Sequence, residues 1–415
     1  MLFNRARAEA YMEECGLDAI VATSPVNITY LTDYSWYLDP LVKEYMVSPG
    51  AGSGLIHNYA VYARGGEAGL VVRPNFSINA ADIWVDRLEL AAAPRMDLSM
   101  FEEAPPADER GRRYWELFSA ETYGPSPEES LSRLLGDLGL TDGTLGVEWE
   151  GLDDRRRDTL KGALKGGTTR DCSNLLRLIR LVKSEDERDR LTRSAQINET
   201  AAIASLYQAK PGLPISDLVQ HYREAVAKEG AVFDHYAYSV DGFGITTETP
   251  HTIRQDEVAL VDFGCIYMNQ FSDTGTTLAL PGASPKMLER HTVLRDLMDA
   301  GMAAIRPGVR ASSVHAAMAA VLEKGKVTGT AYGHGLGLEV REYPIIVPDN
   351  GLRIRDESVD VPSDLQLEEG MIFNLESPLY MPPAGALQIE ETLLVTASGC
   401  EQLIGQDRSS PVTPK

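Results

Sequence analysis

The chain is poor in cysteine. It has four, Cys15, Cys172, Cys265 and Cys400, too scattered to form a CxxC pair. That spacing excludes a thiolate zinc site and a disulfide framework, and reads as the reduced thiols of a cytoplasmic protein. Basic residues are also scarce: 39 Lys and Arg stand against 61 Asp and Glu, a net charge of −22. Such a balance opposes nucleic acid and anionic membrane surfaces as partners. No apolar run approaches the ~18–20 residues of a membrane span. The N-terminal stretch carries Arg5, Arg7 and Glu9 and lacks the apolar run of a secretory signal. No GxGxxG follows a strand, and there is no phosphate-binding loop. What remains is an ordinary globular composition, 43% hydrophobic and 24% charged. At 415 residues the chain exceeds the roughly 250–300 at which one core stops growing, so two domains are expected.

Residues 1–175 read as an α/β domain. A helix over 4–15, strands at 18–23, 69–72 and 146–149, and a short helix over 26–31 after Pro25 predict a mixed, partly parallel sheet. Residues 100–127, rich in Pro, Glu and Arg, read as a surface excursion. The character changes at 172–184. Ser184 with Glu187 three positions on is a capping-box start, and Pro211-Gly212 is a stop, so a helix is predicted over 184–209. The second domain, 176–415, contains an internal repeat: AKPGLPISDLVQHYREAVAKEG at 209–230 matches IRPGVRASSVHAAMAAVLEKG at 305–325. A long helix precedes each copy. Strand patterns follow, at 257–263 and 266–278, then at 371–376 and 386–396. Two α-α-β units related by a pseudo-twofold axis are the simplest reading, with sheets inside and helices outside.

These strands carry acids where apolar residues belong: Asp262 in VALVDFG, Asp273 in FSDTGTT, Glu376 in MIFNLES, and Glu390 and Glu391 in ALQIEETLLV. A buried carboxylate must be paired or bind a metal. With His334 in GHGLGL, read as a glycine-rich turn, two Asp, two Glu and one His make a donor set suited to two hard or borderline divalent ions.

The motifs VDFG…SDTGTT, GHGLGLEVRE, NLESP and QIEETLLVT, in this order and spacing, resemble those of the pita-bread metallopeptidases: methionine aminopeptidase, aminopeptidase P, prolidase and creatinase. NITYLTDYS is similar to the creatinase/prolidase N-terminal domain, so the resemblance covers nearly the whole chain. It implies that Asp262 chelates one metal and His334 the other, that Asp273 and Glu390 bridge them, and that Glu376 binds the second and serves as general base. Two divalent ions are implied, manganese first, with iron, cobalt or zinc as alternatives. A homodimer is implied too.

Around this set the chain departs from the peptidase pattern. Seven residues after His334, where prolidase-like enzymes have histidine, stands Arg341, and two before Glu390, where they have arginine, stands Gln388. Their upstream histidine falls, without a gap, on Ile245; His251 lies six residues later and is the candidate catalytic or substrate-binding replacement. Arg341 is read as an anchor for a substrate carboxylate, and Gln388 as a further substrate contact. The structural alternative is a salt bridge to Glu339, Glu342 or Glu391; if 338–342 form a strand, Glu339 shares its face with Arg341. The expected activity is hydrolysis of an amide or other C–N bond in a small carboxylate-bearing molecule, nominally an Xaa-Pro dipeptide. A creatinase-like amidinohydrolase, a dimethylsulfoniopropionate lyase-like enzyme, and a binding protein with a vestigial site are the alternatives.

Overall fold

A computed structural model describes residues 1–35, 57–85, 87–91, 108–119, 126–164, 166–248 and 250–414. The chain forms two compact units. The first comprises Met1–Arg180 and Ile354–Asp360, the second Leu181–Arg353 and Val361–Lys415.

The first unit is built on β1 (Ala19–Ala22), β2 (Tyr59–Ala63), β3 (Ala68–Val72), β4 (Arg87–Leu90), β5 (Thr144–Val147) and β6 (Thr168–Asp171), in the order β4-β3-β2-β1-β5-β6. β1 pairs antiparallel with β2 and parallel with β5, so the sheet is mixed. Helices Arg5–Cys15 and Pro25–Thr32 lie where the sequence pattern puts them. The stretch read as a surface excursion contains a helix, Glu109–Ser119; residues 100–107 and 120–125 lie outside the described part. The segment 354–360 belongs to this unit for a local reason. Asp356 accepts hydrogen bonds from the first-turn amides of Asn174 (2.7 Å) and Leu175 (3.1 Å), capping helix Ser173–Arg180 from far along the chain.

The second unit repeats helix, helix and strand pair. Helices Glu185–Leu206 and Ile215–Lys228 precede β7 (Val232–Tyr238), β8 (Val258–Tyr267) and β9 (Gln270–Ala279). Helices Pro285–Ala304 and Ala311–Gly325 precede β10 (Tyr332–Gly335), β11 (Glu342–Ile345), β14 (Ile372–Tyr380), β15 (Ala386–Val395) and β16 (Cys400–Gln402); β12 (Arg353–Arg355) and β13 (Asp360–Pro362) fall at the two ends of the 354–360 segment. The capping box is present: Ser184 accepts from the Glu187 amide and Glu187 reaches back to the Ser184 amide. Both Pro-Gly stops use one device. Gly212 and Gly308 sit at φ +86° and +85°, a left-handed conformation that costs glycine little and other residues more. β7-β8-β9 form one sheet and β11-β10-β14-β15-β16 another, joined through β9 and β15, where the Thr277 hydroxyl donates to the Gln388 carbonyl (3.0 Å). Helix 185–206 packs on β8 and β9, and helix 285–304 on β14 and β15. β7 is an element absent from the sequence reading.

Candidate metal centre

Strand alternation builds the site. On β8, Val261, Phe263 and Cys265 join the core formed with the two helices above it, so Asp262 and Gly264 face the other way. The register pairs Asp262 with Gly275 and Gly264 with Asp273, making the two aspartates diagonal neighbours on one face. The two glycines leave room over that face. A Cβ at Gly264 would lie 2.7 Å from His235 Nδ1, and one at Gly275 would lie 2.5 Å from Gln388 Cδ. The second hairpin supplies the glutamates: Glu376 on β14 stands directly opposite Glu390 on β15. β10 then sets Tyr332 opposite Glu376 and His334 opposite Asn374.

Two amides fix the Glu390 carboxylate. Asn374 Nδ2 donates to Glu390 Oε1 (2.8 Å) and to the Asp273 carbonyl (2.7 Å). Gln388 Nε2 donates to Glu390 Oε2 (3.0 Å) and to Asp262 Oδ2 (3.4 Å). Between the hairpins Asp273 faces two histidines. Its Oδ1 lies 3.4 Å from His235 Nε2, and its Oδ2 lies 3.4 Å from His334 Nε2. His334 Nε2 also lies 3.8 Å from Glu376 Oε1. Its Nδ1 is 3.0 Å from the Gly335 carbonyl, yet the buried Nε2 has no hydrogen-bond partner among the described residues. Donor atoms gather in two groups within 4.8 Å, His235–Asp262–Asp273 and Asp273–His334–Glu390, with Asp273 common to both.

The electrostatics are those of anions packed without enough counter-charge. Burial pushes the Glu376 carboxyl up, to about 7; His334 and Arg341 pull it down, and Asp262 and Asp273 push it further up. Burial raises Glu390 well above its ordinary range, with Asp273, Glu376 and Asp262 adding to the effect. Asp262 is raised by burial, against the pull of His235. Burial also opposes ionisation of Asp273, but His235 and His334 outweigh it and hold that carboxyl below its usual value. A divalent cation offsets such a charge excess, and an unpartnered buried imidazole nitrogen aimed at carboxylates is a ready ligand. The donor set therefore fits two hard or borderline ions.

The structure thus brings Asp262, Asp273, His334, Glu376 and Glu390 together. The other expected site residues fare differently. Gln388, read as a substrate contact, is fully buried, and its amide is committed to Asp262 and Glu390. His251 is in neither donor group. Its Nε2 lies 2.7 Å from Glu257 Oε1, and it lines a cavity of ≈ 570 Å³ with Tyr238, Glu248 and Arg223. Residues 337–341 form a bend, so the strand-alternation argument for Glu339 does not apply. Glu342 pairs with buried Lys183 (2.6 Å), and Glu391 with Arg295 (2.9 Å). Arg341 instead donates to the Tyr332 hydroxyl (3.0 Å), its guanidinium 5.5 Å from that ring, and no described carboxylate lies within 4.0 Å of it. Likewise GHG is a strand, β10, rather than a turn.

One residue of the cluster escaped the sequence reading: His235, whose Nε2 lies 2.9 Å from Asp262 Oδ1. The signal for it was a strand, VFDHYAY, with a polar pair in its middle.

Comparison with known proteins follows the same lines. The profile of metallopeptidase family M24 matches residues 189–397, half of the chain, and that of the creatinase/prolidase N-terminal domain matches residues 5–182. The chain belongs to metallopeptidase family M24. The second unit has the pita-bread fold and the first the creatinase/prolidase N-domain fold. Among similar proteins, the uncharacterized peptidase YqhT of Bacillus subtilis is 28% identical over 233 residues, 53% of this chain and 61% of that protein. An Xaa-Pro dipeptidase of Pyrococcus horikoshii is 24% identical over 247 residues, 57% of this chain and 66% of the relative. Both matches span a little under two thirds of the relative's length. The X-Pro aminopeptidase structure from Thermotoga maritima superposes with a TM-score of 0.71 at 17% identity, covering 99% of each chain, and shares the fold. No helix among the described residues is long and apolar enough to cross a membrane.

Proposed function

We propose that this M24 protein is a dinuclear metal-dependent hydrolase that cleaves an amide bond in a small carboxylate-bearing substrate, with Xaa-Pro dipeptides as the nominal class. The observation that carries the reading is the sharing of Asp273 between two donor groups, one oxygen toward each. Asp262 would hold one ion, His334 and Glu376 the other, with Asp273 and Glu390 spanning both. Mn²⁺ is the first candidate, given the predominance of carboxylates; Fe²⁺, Co²⁺ and Zn²⁺ follow. When bound, such a pair of ions lowers the pKa of water and polarises a carbonyl.

The protein's own groups do the rest. Glu376, whose Oε1 lies 3.8 Å from His334 Nε2, would take a proton from the attacking water and return it to the leaving nitrogen. Asn374 and Gln388 hold Glu390 in one orientation. Arg341, steadied on Tyr332, offers a fixed cation to the substrate carboxylate. His251 serves the substrate side, from its cavity, rather than the metals.

Metal analysis of the purified protein, joined to a screen of dipeptides and small amides, tests the proposal. Two divalent ions per chain and hydrolysis abolished by chelation are expected. Activity retained in verified metal-free protein would overturn it.

A further inference from the structure

His235 is the one member of the cluster that the proposed metal assignment leaves without a role. It sits on β7 at a register shift: Phe233 pairs with Cys265 and His235 with Gly264, so Asp234 is the extra residue of a β-bulge. Bulges of this kind re-aim side chains beside functional sites. Here the ring is turned across the face of β8, into the space that Gly264 leaves open.

Three features of the ring match a metal ligand better than an ion-pair partner. Its Nε2 is approached by two carboxylates at once, Asp262 Oδ1 at 2.9 Å and Asp273 Oδ1 at 3.4 Å, and a single N–H serves only one of them well. Its other nitrogen, Nδ1, lies 2.7 Å from Asp234 Oδ2. A carboxylate on the far nitrogen of an imidazole is the arrangement that orients histidine ligands and fixes the tautomer with Nε2 free. Third, His334 presents the other side of Asp273 in the same manner, with Nδ1 on a backbone carbonyl and Nε2 toward the acids. The two halves of the site therefore each contain one imidazole.

We infer that His235 is a sixth protein ligand, binding through Nε2 the divalent cation held by Asp262 and Asp273, with Asp234 as its orienting partner. The inference rests on the dinuclear reading above. It gives the Asp262 side an imidazole donor, which moves its preference from Mn²⁺ toward Fe²⁺, Co²⁺ or Zn²⁺.

The test is proton NMR of the Co²⁺-loaded full chain. A cobalt-bound imidazole shows its remaining N–H as a hyperfine-shifted, solvent-exchangeable resonance. Wild type is expected to give two, from His235 and His334, and His235→Ala and His334→Ala one each. Equilibrium dialysis should show one of two Co²⁺ sites weakened in His235→Ala by more than the ~10–100-fold typical of losing an outer-shell partner. Asp234→Asn should keep both resonances and weaken that site within this range. A single resonance in wild type, assigned to His334, overturns the inference even if His235→Ala does not fold. Two sites of unaltered affinity in a folded His235→Ala protein overturn it as well, and leave the dinuclear reading standing. Wild-type protein that binds no divalent ion at all overturns the dinuclear reading, and the inference with it.

Discussion

Glu376 and Arg341 are the two side chains whose chemistry can be separated by substitution. Glu376→Gln keeps an oxygen donor and removes the proton acceptor. The expected outcome is a kcat lower by about two orders of magnitude or more with metal content retained, the usual contribution of general acid–base catalysis. Unchanged turnover in the metal-loaded variant would move the base role elsewhere. Arg341 has no described carboxylate within 4.0 Å and rests on Tyr332. If it anchors the substrate carboxylate, Arg341→Lys replaces a planar fork by a point charge and raises KM more than it lowers kcat. Steady-state kinetics on a carboxylate-bearing substrate and on its amidated analogue make the comparison. Equal KM values for Arg341→Ala and wild type would show the residue to be structural.

At the level of elements, the site depends on what the β8–β9 hairpin omits. Gly275 carries no side chain because the Gln388 amide lies over it on its way to Asp262 and Glu390. Gly275→Ala puts a methyl group into that amide, in a strand whose other face is packed core. The expected result is a displaced Gln388 and metal affinity lower by about 10–100-fold, the range for loss of an orienting partner. Calorimetric titration with Mn²⁺ measures it, and affinity equal to wild type would mean that Gln388 merely fills space.

At the scale of the whole molecule, two of the buried charge sets among the described residues allow predictions about stability. The first ties the C-terminal segment down: Arg408, 4% exposed, bonds Glu199 on helix 185–206 and lies 3.7 Å from Glu391 on β15. Arg408→Ala strands the buried Glu199 and leaves Glu391 with Arg295 alone, so denaturant unfolding should show a loss of about 3–5 kcal/mol. A loss under about 1 kcal/mol would mean that water relieves the pair. The second set is the cluster itself. Glu376 is raised in the folded protein from 4.5 to about 7, so its contribution is complete below pH 4.5 and vanishes as pH rises through 7. His235 is raised from 6.5 to about 12, where burial is outweighed by Asp234, Asp262 and Asp273, so its contribution likewise declines above 6.5. Asp273, held low, loses its contribution only on acidification below 3.8. Metal-free protein should therefore lose stability as pH rises from 4.5, while divalent ions bind the deprotonated ligands more tightly. The rise in Tm on adding Mn²⁺ should be larger at about pH 8 than at about pH 5.5. A pH-independent increment would contradict the placement of the ions among these groups.

What the sequence determined by itself is the part written in short-range pattern. The Pro-Gly stops, the Ser184–Glu187 capping box, acids set in β-branched runs and a histidine between glycines made legible the doubled unit, four members of the two donor groups, and Glu376 beside them. Each rests on neighbours a few positions apart, where propensity and alternation act directly. Tertiary structure decided what depends on pairing between distant strands. β7 is polar in its middle and gives a weak strand signal, so the bulge that turns His235 toward Asp262 is visible only in its register with β8. Arg341 lies in a bend set by the fold rather than in a strand, so alternation does not assign its neighbours. Asp356 caps a helix that begins 183 residues before it, a hydrogen bond that only chain folding brings within reach. A side chain's local preference is fixed by its sequence neighbours, whereas its charge partners are fixed by register and packing, which no short window of residues contains.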